Sequence, residues 1–152
     1  MPSDLWNYAL QLYGRPGVEQ ACLQLQNTGA DVCLLLCACW LKHRKQAYSA
    51  ERCEQLLDLA QPWQQQVITP LRQLRQNWRA QAQQQPELAV LREQLKGLEQ
   101  QGERQLLLQL QACALAWPPL ASTENGDWLT ALSGRAATLD ALQWLRVEAE
   151  QT

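Results

Sequence analysis

Apolar residues recur along this chain at intervals of three and four, the mark of helices with one face turned to a core. Leu5, Tyr8 and Leu12 form the first such stripe, flanked by Trp6 and Tyr13, with Ser3 as the expected N-cap. Gly14 should end this helix and Pro16-Gly17 make the turn. Val18, Ala21, Cys22 and Leu25 mark a second helix, from Val18 to about Thr28, closed by Gly29. Asp31 then stands as a cap before the segment from Val32 to about Gln46, which is apolar nearly all round for three turns. A helix without a polar face belongs in the middle of a bundle. Its tail, Lys42-His43-Arg44-Lys45, places cations where the helix dipole favours them.

Ser49 is the expected cap of a segment from Ala50 to Ala60. Pro62 can open a further helix with Trp63, Val67, Leu71, Leu74 and Trp78 facing inward, and Pro70 should kink or split it. Gln81, Gln83, Gln84 and Gln85 read as a fraying end. Pro86 opens the longest helix, to about Trp117. Leu88, Leu91, Leu95 and Leu98 step along it, and Leu106, Leu110, Cys113 and Trp117 resume the seam beyond Gly102. Pro118-Pro119 stops it. Asp127 caps Trp128-Leu129-Leu132, and Leu139, Leu142 and Leu145 finish the chain after a break at Ser133-Gly134. The pattern predicts one all-α domain over residues 1–152, a bundle of six or seven helices around a buried apolar third helix.

Composition agrees: among 152 residues there are 29 Leu and 24 Gln, both good helix formers, while β-branched residues are scarce. The net charge of −2 gives no global field that would mark a nucleic-acid or membrane binder. The N-terminus lacks a basic and apolar leader, and the longest apolar run, Val32 to Leu41, is about half the ~20 residues a membrane span needs. Three of the six cysteines crowd into one helix, a poor geometry for a disulfide framework. A reduced, cytoplasmic protein is therefore expected.

Catalytic signatures are missing. The chain has no phosphate-binding glycine loop, no G-x-S-x-G elbow and no H-E-x-x-H. The single histidine, His43, sits among Lys42, Arg44 and Lys45, a poor setting for a general base. Glu51, Glu54 and Asp58 share a helix face that reads as solvated, with Arg52 beside them. Cys33, Cys37, Cys39 and His43 lie within three turns but on different faces of one helix, so neither a metal nor another cofactor is expected. The seven tryptophans, Trp6, Trp40, Trp63, Trp78, Trp117, Trp128 and Trp144, are spread about one per helix, as core and junction fillers would be. Trp78 stands apart, flanked by Arg75 and Arg79.

The N-terminal third reads Trp6…Tyr13-x-x-Pro16-Gly17-Val18…Cys22-Leu23-x-Leu25-Gln26…Asp31-Val32…Leu35-Leu36…Trp40, and the middle carries Trp63…Pro70-Leu71-Arg72-x-x-Arg75. Over roughly the first half of the chain this resembles a small family of uncharacterised bacterial proteins known only as a domain of unknown function. The family pattern places a polar residue where Cys33 stands and an apolar one where Cys37 stands, which implies that the cysteine cluster belongs to this chain alone. The resemblance brings no activity, cofactor or partner.

The most suggestive surface feature is the stripe Arg72, Arg75, Arg79 beside Trp78. No acidic residue occurs from Leu59 to Pro86, so this segment carries a local charge of +3. The three arginines are three and four apart, hence on one face. Arginine next to an aromatic is the chemistry of protein interfaces, and the same residues can contact phosphates. An ordinary solvated face, with one arginine turned inward to Asp31 or Asp58, competes with this reading. The expectation is a non-enzymatic protein that binds a protein partner through Arg72, Arg75, Trp78 and Arg79, with thermal stability nearly indifferent to loss of Arg75 and Arg79. The alternatives are a small-molecule-binding or catalytic bundle with a Trp-lined pocket, and an RNA- or DNA-contacting accessory protein.

Overall fold

The computed structural model describes residues 4–27, 29–120, 124–133 and 139–150, with backbone alone at 139–142 and 144. It is all-α. Helix α1 (Leu5–Tyr13) leads into α2 (Val18–Asn27) and α3 (Val32–His43). Then α4 (Ala50–Trp63), a π-helical turn (Gln64–Ile68), α5 (Thr69–Asn77) and α6 (Arg79–Ala82) follow almost without interruption. The chain reverses into α7 (Pro86–Leu115), and α8 (Trp128–Ser133) and α9 (Leu139–Glu150) complete it.

The caps are short polar side chains satisfying the first free N–H groups. Asp31 accepts from Leu34 N at 3.3 Å, Ser49 from Arg52 N at 3.0 Å and Asp127 from Thr130 N at 3.0 Å, as the sequence indicates. On α1 the cap is Asp4, which accepts from Asn7 N at 2.8 Å; Ser3 lies outside the described residues, as do Thr28 and Gly134. Gly17 (φ 83°) and Gly29 (φ 100°) hold left-handed turns that cost side-chain-bearing residues energy.

Helix α3 is the axle. Every residue from Val32 to Leu41 is buried, and α1, α2, α4, α7, α8 and α9 all pack on it. A corner of aromatics closes one end: Trp117 stacks on Trp128 at 5.7 Å, and Tyr48 meets Trp128 edge-on at 5.2 Å. A Cβ on Gly126 would lie 2.3 Å from the Tyr48 ring, so only glycine fits there without moving that ring. Arg52 is buried in this corner. It donates to the carbonyls of Ala47, at 3.1 Å, and Pro118, with its guanidinium 4.8 Å over the Trp117 ring. It thus leaves the solvated face expected for it, while Glu51, Glu54 and Asp58 stay exposed.

Two boundaries differ from the sequence reading. Pro62 opens no helix; α4 runs through it. Asp58 and Pro62 are both exposed, so the hydrogen bond that proline forfeits lies on the solvent side, while Leu56, Ala60 and Trp63 hold the inner side. Pro70 interrupts as expected, but as a widened turn: Thr69 N donates to Gln64 O, five residues back, directly before the ring. Gly102 lets α7 pass close to this turn, since a Cβ there would sit 3.4 Å from Val67 Cγ1. The Trp63 indole N–H spans the gap to Gly102 O at 2.9 Å.

Helix α7 is long, about 45 Å at 1.5 Å per residue. Its C-terminal half enters the core with Leu106, Leu107, Leu110 and Ala114. Its N-terminal half pairs with α5 and α6, neither of which holds a buried residue. These three segments form an arm extending from the bundle. No helix among the described residues is long and apolar enough to cross a membrane.

Candidate functional site

Where the arm joins the bundle, the stripe of arginines meets α7. Arg72 and Arg75 share one face of α5, as their spacing demands, but that face turns inward. Glu99 of α7, only 7% exposed, takes both: Arg72 Nε donates to Glu99 Oε2 at 3.0 Å and Arg75 Nε to Oε1 at 2.6 Å. The two arginine side chains are 16% and 22% exposed. Gln26, with its amide oxygen facing Arg72, accepts from Arg72 Nη2 at 2.7 Å. Arg92 donates to the Arg75 carbonyl at 2.9 Å, tying α7 to α5 a second time. The acid missing from residues 59–86 is thus supplied from the next helix, and the partner is Glu99, not the Asp31 or Asp58 of the competing reading. Of the four predicted binding residues, Arg79 is exposed and Trp78 half-buried on the arm, whereas Arg72 and Arg75 belong to an internal ion cluster.

Asp31 stands close to this cluster. Its Oδ1 accepts from Gln64 Nε2 at 2.8 Å as well as from Leu34 N. Burial pushes its pKa up to about 6, against the pull of those hydrogen bonds and of the Arg72 charge. Asp31 and Arg72 form no ion pair with each other. Instead both line a cavity of about 520 Å³ between the start of α3, the α4–α5 rod and α8, whose walls include Gln61, Gln64 and Thr69. A second hollow, about 460 Å³, lies beyond Glu99 between α1, α2 and α7. Trp6 and Tyr13 line it with Glu103, whose pKa is raised by burial. No tryptophan lines the first cavity and Trp6 alone lines the second, so neither is the Trp-lined pocket between helices that the sequence suggested.

Asp31 also makes a pH prediction. Its folded pKa lies above the ~3.9 of an unfolded aspartate. The folded state therefore holds the proton more tightly, and this group's contribution falls as pH rises from about 4 through 6. Asn caps a helix as well as Asp does. Asp31→Asn should thus gain in melting temperature relative to wild type on going from pH 4 to pH 7, measured by circular dichroism at each pH. Parallel melting curves across that range would contradict it.

The cysteines offer no reactive thiol among the buried ones. Burial raises the pKa of Cys22, Cys33, Cys37 and Cys39, which keeps them protonated and inert. All six are free, and no three His, Cys, Asp or Glu side chains group as a metal site among the described residues.

An all-α bundle carrying an arm, with an Arg–Glu–Arg cluster where the two join, is the class that fold and site define. The chain belongs to the family described as Protein of unknown function (DUF2390), whose model matches residues 4–110. That span takes in Asp31, Gln64, Arg72, Arg75 and Glu99 and extends past the first half of the chain; α8 and α9 lie outside it. No curated protein and no solved structure matches. Glu99 and Arg52 are the residues that sequence reasoning missed. For Glu99 a signal existed: Leu95, Glu99, Gly102 and Leu106 continue one inward seam, and an acid in such a seam calls for a cationic partner.

Proposed function

We propose that this is a non-enzymatic binding protein of the cytoplasm whose arm docks an acidic protein partner. One observation carries the reading: the arm leaves Leu74, Val90, Leu91 and Leu98 about 40–60% exposed, although it belongs to a protein with an ample core. These are four of the nine large apolar side chains exposed among the described residues, and several on one projecting element are characteristic of an interaction surface. Charge points to the partner's sign. Residues 69–102 hold five basic side chains against three acidic, in a protein that is acidic overall. Arg79 is exposed beside the half-buried Trp78, and the half-buried Lys96 on α7 pairs with Glu93 at 3.2 Å, so the arm presents the apolar, arginine and aromatic mixture of binding hot spots. The arginine pair Arg72/Arg75 sets the arm's position and leaves the contact itself to these outer residues. Six free cysteines, five of them buried, fit a reducing compartment.

The test is chemical cross-linking of the tagged protein in native lysate, with the linkage sites mapped by mass spectrometry. Lys96 is the arm's one lysine, and Lys42 and Lys45 lie at the far end of α3. Cross-links to an acidic protein should concentrate at Lys96. They should vanish in the variant carrying Arg79→Glu, Leu91→Glu and Leu98→Glu, with the melting temperature nearly kept because these positions are exposed. Linkage through Lys42 and Lys45, retention of the partner by the triple variant, or recovery of nuclease-sensitive RNA or DNA in its place would overturn the proposal.

A further inference from the structure

We propose that the cavity between the start of α3, the α4–α5 rod and α8 is a binding site for a small zwitterion of the free α-amino-acid class, its ammonium on Asp31 and its carboxylate on Arg72. This site lies at the base of the arm and shares none of the outer residues Arg79, Leu91 and Leu98 assigned to docking. Asp31 and Arg72 line one cavity, and Arg72 is near enough to act on the Asp31 carboxylate, yet no ion pair joins them. In a closed structural pair the side chains would simply meet. Here each is held from behind: Asp31 by Leu34 N and Gln64, Arg72 by Glu99 and Gln26. Their orientations are fixed before any ligand arrives, which lowers the entropic cost of binding.

Asp31 brings one negative charge to the lining, and behind Arg72 stand two arginines on the single carboxylate of Glu99, a surplus of one positive charge, so a ligand with net charge would leave one side uncompensated. A molecule carrying both charged groups on one carbon satisfies both. Arg72 can receive a carboxylate through the guanidinium N–H groups that neither Glu99 nor Gln26 occupies. The other walls suit a polar, uncharged side chain: Gln61, Gln65 and Thr69 offer amide and hydroxyl groups, and Leu57 gives an apolar side. The volume of about 520 Å³ falls within the range of small-molecule sites.

The experiment is isothermal titration calorimetry of the full chain, above neutral pH, with each of the twenty L-amino acids in turn. A parallel set carries an N-acetyl group and a C-terminal amide. At least one free amino acid should bind saturably, and its doubly capped form should not. Asp31→Asn keeps the helix cap and so remains folded, but removes the charge; binding should weaken about tenfold to a hundredfold, as for a lost charge-assisted hydrogen bond. Arg72→Lys checks the other end, with circular dichroism to confirm that it folds. Three results overturn the assignment: no binding to wild type by any amino acid, equal binding of the capped forms, or undiminished binding by Asp31→Asn. None of them bears on the arm, whose triple variant should still bind the amino acid.

Discussion

Glu99→Ala is expected to lower folding stability by about 3–5 kcal/mol, the usual consequence of stripping one partner from a buried ion cluster. The substitution leaves Arg72 and Arg75, both mostly withdrawn from water, facing each other without a counter-charge. It also frees the arm from the bundle, because this cluster is the main polar tie between α5 and the middle of α7. Urea denaturation followed by circular dichroism measures the loss. Replacing all three residues together by leucine should restore most of it, since apolar substitutes for a whole buried ion cluster are often neutral or better. The same geometry reverses what the sequence suggested for Arg75. Arg75→Glu brings two carboxylates together at Glu99 and should destabilise strongly, whereas Arg79→Glu on the exposed side should not. A Glu99→Ala protein as stable as wild type would show that the arm needs no ionic anchor.

The second large effect is expected at Arg52. Arg52→Ala removes two charge-assisted hydrogen bonds, to the Ala47 and Pro118 carbonyls, and uncovers the Trp117 face. Hydrogen bonds to charged groups contribute about 1.5–3 kcal/mol each, so a loss of about 3 kcal/mol is expected in the same denaturation assay. Arg52 joins the start of α4 to the segment after α7. Lysine in its place supplies one ammonium for two carbonyls that a planar fork bridges, and should recover only part of the stability. Near-UV circular dichroism should change too, because Trp117 and Trp128 stack beneath the guanidinium. Full recovery by Arg52→Lys would show that charge alone matters at this corner.

Features that depend on the chain's immediate neighbours were legible in the sequence, and features that depend on which helix lies opposite were not. Asp31, Ser49 and Asp127 announce themselves as caps because the groups they satisfy lie three residues ahead. The burial of α3 follows from its own lack of a polar face. Spacing placed Arg72 and Arg75 on one face but gave no direction for it, because Glu99 lies 27 and 24 residues further on. A missing acid in the local sequence says little when the next antiparallel helix can supply one. Arg52 was hidden for the same reason: its two carbonyl partners are five and 66 residues away, and a charged residue beside three exposed acids looks solvated. Pro62 misled through a local rule that holds only where the forfeited hydrogen bond would have been buried.

Helix α7 constrains how the chain length can vary. It is one unbroken run of 30 residues shared by the arm and the core, and Glu99 must face α5 while Leu106 and Leu110 face α3. Each residue turns the helix by about 100°. A single insertion or deletion between Glu99 and Leu106 would rotate the arm by that angle about the helix axis and swing Glu99 away from both arginines. Two full turns, about seven residues, come closest to restoring the phase. In this protein, α7 should therefore change in length by whole turns or stay fixed.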